Sequence, residues 1–321
     1  MPHFNLLVIG GAGFLGRHVV NRLADRGFRV TVPTRNRARA RHLITLPTVD
    51  VVEANVHDDA QLERLIAASD AVFNLVGILQ GSRGTPYGPE FARAHVELPR
   101  RIVRSCAERS VRRYLHMSSL GADPQGDSMY QRSKGEGEAV VRASGLDWTI
   151  FQPSVVFGPE DRFLNTFAAL AAVAPALPIA GATTRFQPIY VGDVADACVN
   201  ALDNRATYGR TYELAGPRIY TLKALVQFAA RAAGHPRPVL GLPGGLARVQ
   251  AMLMELAPGE PLMSRDNLDS MKRDNIASQQ PYAPAPELGI ELHPMESEAA
   301  LYLAGQNPRS HLGAFRARAR R

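Results

Sequence analysis

Three residues of this 321-residue chain could do acid–base chemistry together. Tyr130 and Lys134 stand four residues apart in Tyr130-Gln131-Arg132-Ser133-Lys134, with Glu136 and Glu138 following. In a helix that spacing puts both side chains on one face. An ammonium beside a phenol favours the phenolate, so Lys134 is expected to lower the Tyr130 pKa toward the working pH. Lysine is scarce, with Lys134, Lys223 and Lys272 the only ones, so a chance tyrosine–lysine pair at this spacing is rare. Ser119 follows the apolar segment Tyr114-Leu115-His116-Met117. At a strand end it could hydrogen-bond a substrate carbonyl or hydroxyl. Ser119, Tyr130 and Lys134 are the candidate catalytic residues; the bland alternative is a tyrosine and a lysine on an exposed helix.

Such a set needs a cleft, and the N-terminus supplies the signal for one. An apolar run, Phe4 to Ile9, enters Gly10-Gly11-Ala12-Gly13-Phe14-Leu15-Gly16. A helical pattern leaves it through Val19, Val20 and Leu23, with Gly27 as the stop. Gly10 permits a tight turn, Gly13 removes a Cβ from the path of a pyrophosphate, and Gly16 lets the helix pack closely on the strand. The helix N-terminus, opening at Phe14 and Leu15, offers free N–H groups and a partial positive charge to phosphates. A strand before and a helix after are the context that a dinucleotide fingerprint requires. The alternative is an ordinary strand-to-helix turn.

Further strands follow in order. Phe28 to Pro33 runs into Thr34-Arg35-Asn36-Arg37, without the acid that takes a ribose 2′-hydroxyl in NAD-preferring sites. A guanidinium suits a 2′-phosphate, so NADP(H) is favoured over NAD(H), with Arg35 the first contact and Arg37 next. Both arginines could instead simply open a surface helix. Val49 to Ala54 is a third strand, leading to Asn55 and Val56 where such folds pass beneath the adenine, with Asp58 a helix N-cap. Asp70 to Gly77 is a fourth, its exit at Val76 and Gly77 allowing close backbone approach to a ribose. Phe91 to Glu108 reads as one long helix and Trp148 to Val156 as a further strand. The fold class is α/β: a doubly wound parallel sheet with a smaller C-terminal α+β lobe. Residues 1–155 and 187–204 are assigned to the sheet domain, 156–186 and 205–310 to the small lobe, and 311–321 to a basic tail.

Composition bounds the function. The charge is +7, nearly all from arginine, much of it spread singly along helices as at Arg100, Arg101, Arg104, Arg109, Arg112 and Arg113. Arg316-Ala317-Arg318-Ala319-Arg320-Arg321 is a cluster, either a solvated tail or a contact for an acidic surface or membrane. No nucleic-acid motif accompanies it. Cys106 and Cys198 lack metal-ligand spacing and fit a reducing, cytoplasmic compartment as buried small residues. No metal site, secretory signal or transmembrane segment is read; Pro175 and Pro178 break the most apolar window, 163–182.

The glycine loop, the Ser119/Tyr130/Lys134 set and Trp148 to Pro159 together resemble the short-chain dehydrogenase/reductase superfamily, in its extended or atypical epimerase/dehydratase-like branch. The resemblance implies Tyr130 as acid/base, Lys134 as ribose holder, Ser119 as substrate orienter, and Pro153, Val155 and Val156 flanking the nicotinamide. A closer resemblance rests on Val72 to Leu79, Arg185 to Ala195, Tyr212 to Leu222 and Leu262 to Asn275. These are similar to the bacterial relatives of the NADPH-binding accessory subunit of respiratory complex I. It implies a tightly held NADPH and attachment to complex I or a quinone-related membrane complex, peripheral on the cytoplasmic face of the inner membrane. The alternative is an active NADP-dependent oxidoreductase or epimerase/dehydratase. Ile9, Asn55, His95 and Glu97-Leu98-Pro99 depart from the extended enzymes' usual Thr, Asp, Asn and Gly-Thr, which weakens a sugar-nucleotide substrate.

In the C-terminal half, 168–177 is read as a small apolar lid and Arg185 as an anion contact or surface residue. Asp193 is read as the N-cap of a helix from Val194 to Leu202. Leu246, Val249, Leu253 and Leu256 repeat at helical spacing. That stripe either packs on the small lobe or docks on a membrane or a large complex.

Overall fold

A computed structural model of the chain describes residues 4–256 and 261–304. It forms two compact units. The first takes the chain up to Pro153, then Gly192–Leu214 and Pro284–Glu291; the second takes Ser154–Val191, Ala215–Ala283 and the chain from Leu292.

The first unit is built on β1 (Asn5–Ile9), β2 (Arg29–Thr34), β3 (Val49–Glu53), β4 (Ala71–Asn74), β5 (Arg113–Met117), β6 (Asp147–Pro153) and β7 (Arg210–Leu214). All pair in parallel, in the spatial order β7-β6-β5-β4-β1-β2-β3. The crossovers carry α1 (Phe14–Asp25), α2 (Asp59–Ala67), α3 (Leu98–Glu108) and α4 (Met129–Arg142). A parallel sheet covered on both faces needs strands that are apolar throughout. Leu6 to Ile9 and Ala71 to Phe73 satisfy this, and Leu7, Val72, Tyr114 and Ile150 share one core with Leu62 and Ile102 of the helices. The order of strands reverses between β1 and β4, so the carboxyl ends of these two strands form the switch point where such sheets bind ligands.

Three expectations are corrected here. Residues from 205 were given to the small lobe, yet Arg210–Leu214 is the seventh strand, paired with β6 from Arg210↔Thr149 to Leu214↔Pro153. Its hydrophobic pattern is that of an edge strand, with only Tyr212 and Leu214 buried. Asp193 is no N-cap: it lies in the first turn of the helix Val191–Asn200. Arg113 is not a surface helical arginine. It opens β5, is buried, and donates to Leu202 O, Ala201 O and Asp147 O at 2.8, 2.6 and 2.7 Å, with its guanidinium over the Tyr208 ring. The carbonyls and ring replace the water it has lost, and burial still brings its pKa down to about 10.

The second unit packs helices Leu164–Val173, Leu222–Ala232 and Met295–Leu303 on Phe157, Leu177 and Phe186. After Gln187 the chain forms only a short strand, Ile189–Tyr190, paired in parallel with Val156–Phe157. The helix expected around the leucine repeat is present as Gly244–Glu255. It faces the other way from a packed stripe: Ala247 and Ala251 are buried, while Leu246, Val249, Leu253 and Leu256 are exposed. The basic tail lies outside the described residues. Both cysteines are free and buried, and burial pushes the Cys106 thiol up to about 12.

Candidate functional site

The glycine loop leaves β1 with Gly10 at φ +86°, a backbone state that side chains avoid. A Cβ on Gly16 would lie 2.3 Å from Gly10 O and 2.6 Å from Gly11 Cα, so only glycine lets α1 start this close to the strand. A Cβ on Gly13 would meet only Gly10 O, at 3.2 Å, and otherwise open space. Gly13 is the N-cap of α1, with no side chain on the first N–H groups and no acid in the first turn. Phe14 and Leu15 are half-buried beside it. This is a cradle for an anion: free donors, positive dipole end, and no atom in the way.

At the end of β2, Arg35 and Arg37 are exposed and take no ion-pair partner among the described residues. His57 stands close to Arg35, Arg93 and Arg101; burial and these cations lower its pKa, so the ring is neutral and the concentration of positive charge belongs to the arginines. An acid that sequence reasoning did not weigh, Glu53, is the register partner of Thr34. Asn55 Oδ1 accepts the His57 N–H at 3.1 Å, and Asp58 caps α2 by accepting from Gln61 N–H at 2.9 Å. The strand exit is thus shaped by an Asx turn and a cap. Val56 and Val76 pack against the core of this unit, and Val76 N–H donates to Asn74 Oδ1. A Cβ on Gly77 would meet Lys134 Nζ at 3.3 Å, so the β4 exit and Lys134 are neighbours.

Tyr130 and Lys134 are placed by the start of α4. Ser128 Oγ accepts the Gln131 N–H and Gln131 Oε1 accepts the Ser128 N–H, a reciprocal cap that fixes where the helix begins. Lys134 is buried, and its Nζ donates to Met117 O at 3.0 Å. Loss of water brings its pKa down to about 8, against a smaller opposing pull from Glu138. Ser119 is buried and its Oγ has no hydrogen bond of full geometry, but it approaches the Tyr130 phenol. Burial pushes that phenol up and the Ser119 hydroxyl offsets part of the shift. The expected lowering by Lys134 is therefore not what the geometry gives: the ammonium is turned to a backbone carbonyl, and Tyr130 is held as a phenol. As a phenol it can donate a proton; its phenolate is scarce at neutral pH.

Sequence reasoning noted His95 only as a departure from a pattern. Residues Ala92–Glu97 form a π turn inside the helix expected as continuous, a device that re-aims side chains. His95 Nε2 accepts the Ile78 N–H at 3.1 Å, so the neutral ring carries its proton on Nδ1 and donates to Ser133 Oγ at 2.9 Å. Ser133 Oγ donates in turn to Tyr130 O at 2.9 Å. The His95 and Tyr130 rings meet edge to face, 5.6 Å apart. Burial, with Lys134 and His116 adding repulsion, keeps His95 uncharged. A Cβ on Gly137 would lie 2.1 Å from His95 O. That glycine was the one available signal of so close an approach of α4.

The structure thus brings the glycine loop, Arg35, Asn55, Val56, Val76, Gly77, Ser119, Tyr130 and Lys134 to one edge of one sheet. Pro153 ends β6, and its carbonyl accepts the Leu120 N–H at 2.9 Å. Val155 and Val156 belong to the second unit, where Val155 O accepts the Ile189 N–H and Val156 is in the strand paired with Ile189–Tyr190. The residues present fit a dinucleotide, which would supply hydride chemistry when bound.

Residues 6–215 match the NAD dependent epimerase/dehydratase family. Among curated proteins, the chain is 32% identical over 287 residues to the mitochondrial NADH-ubiquinone oxidoreductase 40 kDa subunit of Neurospora crassa, covering 88% of this chain and 74% of that one. It is 32% identical over 295 residues to the mitochondrial NADH dehydrogenase [ubiquinone] 1 alpha subcomplex subunit 9 of Rattus norvegicus, covering 90% and 77%. A ceramide reductase of Caulobacter vibrioides is 31% identical, over 59% of this chain and 57% of that one. Among solved structures, a UDP-glucose 4-epimerase of Thermotoga maritima with UDP-glucose superposes with a TM-score of 0.68 at 20% identity, over 96% of this chain and all of that one. That likeness shows the fold.

Proposed function

Because the chain belongs to the NAD dependent epimerase/dehydratase family, we propose that it holds NADP(H) tightly at the β1–α1 loop and serves as an accessory subunit of respiratory complex I. It attaches peripherally at the cytoplasmic face of the inner membrane. The observation that carries this reading is the reach of the similarity. The match to the complex I subunits runs through both units, 88–90% of the chain, whereas the match to the reductase covers 59%. The unpaired Arg35 and Arg37 at the end of β2 support NADP(H), because a 2′-phosphate needs cations there.

The test is to purify the protein without added nucleotide, denature it and identify what is released. NADPH equimolar with the chain, not exchanging with added NADP in the folded protein, is the expected result. Free exchange, or NAD in its place, overturns the cofactor reading. In the cell, Gly13→Asp should lower assembled complex I while Tyr130→Phe leaves it intact. Loss of function with Tyr130→Phe in a protein that still holds its nucleotide would favour turnover on a carbonyl or hydroxyl group.

A further inference from the structure

The helix Gly244–Glu255 buries its small residues and shows water its large ones. Ala247 and Ala251 are 5% and 0% exposed, while Leu246, Val249, Leu253 and Leu256 are 60%, 48%, 59% and 77% exposed, with Met252 beside them. The apolar stripe seen in the sequence is real, but it points away from the lobe that carries it. Leu240, just before the helix, and Leu262, beyond its end, are exposed as well. An amphipathic helix is normally anchored by its large apolar face. Here the alanine face and a bond from Gln250 Nε2 to Pro178 O hold the helix down, leaving the leucine face without a partner among the described residues.

The charges beside the stripe share one asymmetry. Arg248 and Lys272 both pair with Asp269, and Arg265 pairs with Glu255. The side chains of Arg248 and Lys272 are 61% and 54% exposed, that of Asp269 only 19%. Around Asp269 two bases share one acid, and the groups that reach water are the cations. A leucine face flanked on one side by the exposed Arg248 and Lys272 is complementary to a surface that is apolar within and anionic at its boundary with water. Among the described residues no helix is long and apolar enough to cross a membrane. This one has 12 residues, or about 18 Å, enough to lie in a headgroup plane.

We propose that the exposed face of the Gly244–Glu255 helix docks the protein on an anionic lipid bilayer, with Leu246, Val249, Leu253 and Leu256 entering the headgroup–acyl boundary and Arg248 and Lys272 facing the lipid phosphates. The inference does not depend on the nucleotide or on complex I, since the helix meets lipid by itself.

The experiment is co-sedimentation of the full chain with vesicles of phosphatidylcholine alone or mixed with phosphatidylglycerol, at low and high salt. The wild type should pellet with the mixed vesicles, weakly with the neutral ones, and less as salt rises. The double variant Leu246→Ser/Leu253→Ser should lose about tenfold or more in partitioning, with an unchanged circular dichroism spectrum and melting temperature, because both side chains are exposed. Wild type that stays in solution, or a folded double variant that binds equally, overturns the proposal. So does a wild-type dimer that the double variant converts to monomer without any vesicle binding, because the face would then cover a second copy. Wild type that ignores vesicles yet loses complex I in the double variant also overturns it, in favour of a protein partner, and leaves the accessory-subunit reading standing.

Discussion

Replacing Lys134 by methionine keeps the length of a buried side chain and removes its charge. In the folded chain the lysine pKa is about 8, against 10.5 for the free group, because burial disfavours the ammonium. The difference between 10.5 and about 8 corresponds to about 3 kcal/mol. The sign follows from proton counting. Below pH 8 folded and unfolded chains both carry the proton, and the folded state bears the full cost. Between pH 8 and 10.5 the folded chain releases it while the unfolded chain keeps it, so stability rises with pH across that window. From pH 7.5 to 9.5 the gain comes to about 2 kcal/mol. At an m-value of about 2 kcal/mol/M that moves a urea midpoint by roughly 1 M. The assay is urea unfolding of nucleotide-free wild type and Lys134→Met at pH 7.5, 8.5 and 9.5, followed by circular dichroism. The absolute difference at one pH includes the lost bond to Met117 O. The readout is therefore the change in that difference, which should move toward wild type by about 2 kcal/mol as pH rises. Parallel curves for the two proteins would refute the assignment of a depressed, desolvated lysine.

Two further outcomes are expected. Gly16→Ala forces a Cβ to 2.3 Å from Gly10 O and should cost about 2–4 kcal/mol in chemical unfolding; a loss under about 1 kcal/mol would mean that the turn relaxes. Arg35→Glu should weaken NADPH binding by about tenfold or more, as loss of a charge-assisted contact does, and leave NADH binding unchanged by nucleotide fluorescence; an equal loss of both would place Arg35 outside the 2′-phosphate site.

The central sheet was legible because parallel strands covered on both faces must be apolar runs, and the glycine loop was legible because Gly10 takes a positive φ, Gly16 lies against the Gly10–Gly11 backbone, and Gly13 leaves the space at the helix start open. Ser119, Tyr130 and Lys134 could be singled out because a strand end and a spacing of one helical turn are both readable in sequence. Arg113 was misread because adjacent arginines look alike in sequence; only the carbonyls of residues 147, 201 and 202 distinguish it from Arg112. The π turn at His95 was invisible, since the six residues Ala92–Glu97 are too few to establish a period of their own. For the Gly244–Glu255 helix, periodicity identified an apolar face but could not say whether anything covers it. The Tyr130 expectation differs for a related reason: spacing puts an ammonium on the same helical face as a phenol, but burial of the phenol and the bond that turns Lys134 to Met117 O are properties of the whole fold.

The first unit draws on three separate stretches of chain, the last ending at Glu291. During synthesis β6 is complete at Pro153, yet the strand that pairs with its open side arrives only at Arg210–Leu214. Until then a nascent chain presents an unpaired strand edge, a template for wrong pairing. The unit is complete only after another 138 residues (291 − 153) have been added, roughly 7 to 28 seconds at about 5–20 residues per second. The sheet domain therefore cannot be obtained by stopping the gene after β6: a truncation there lacks the edge strand and the 284–291 segment.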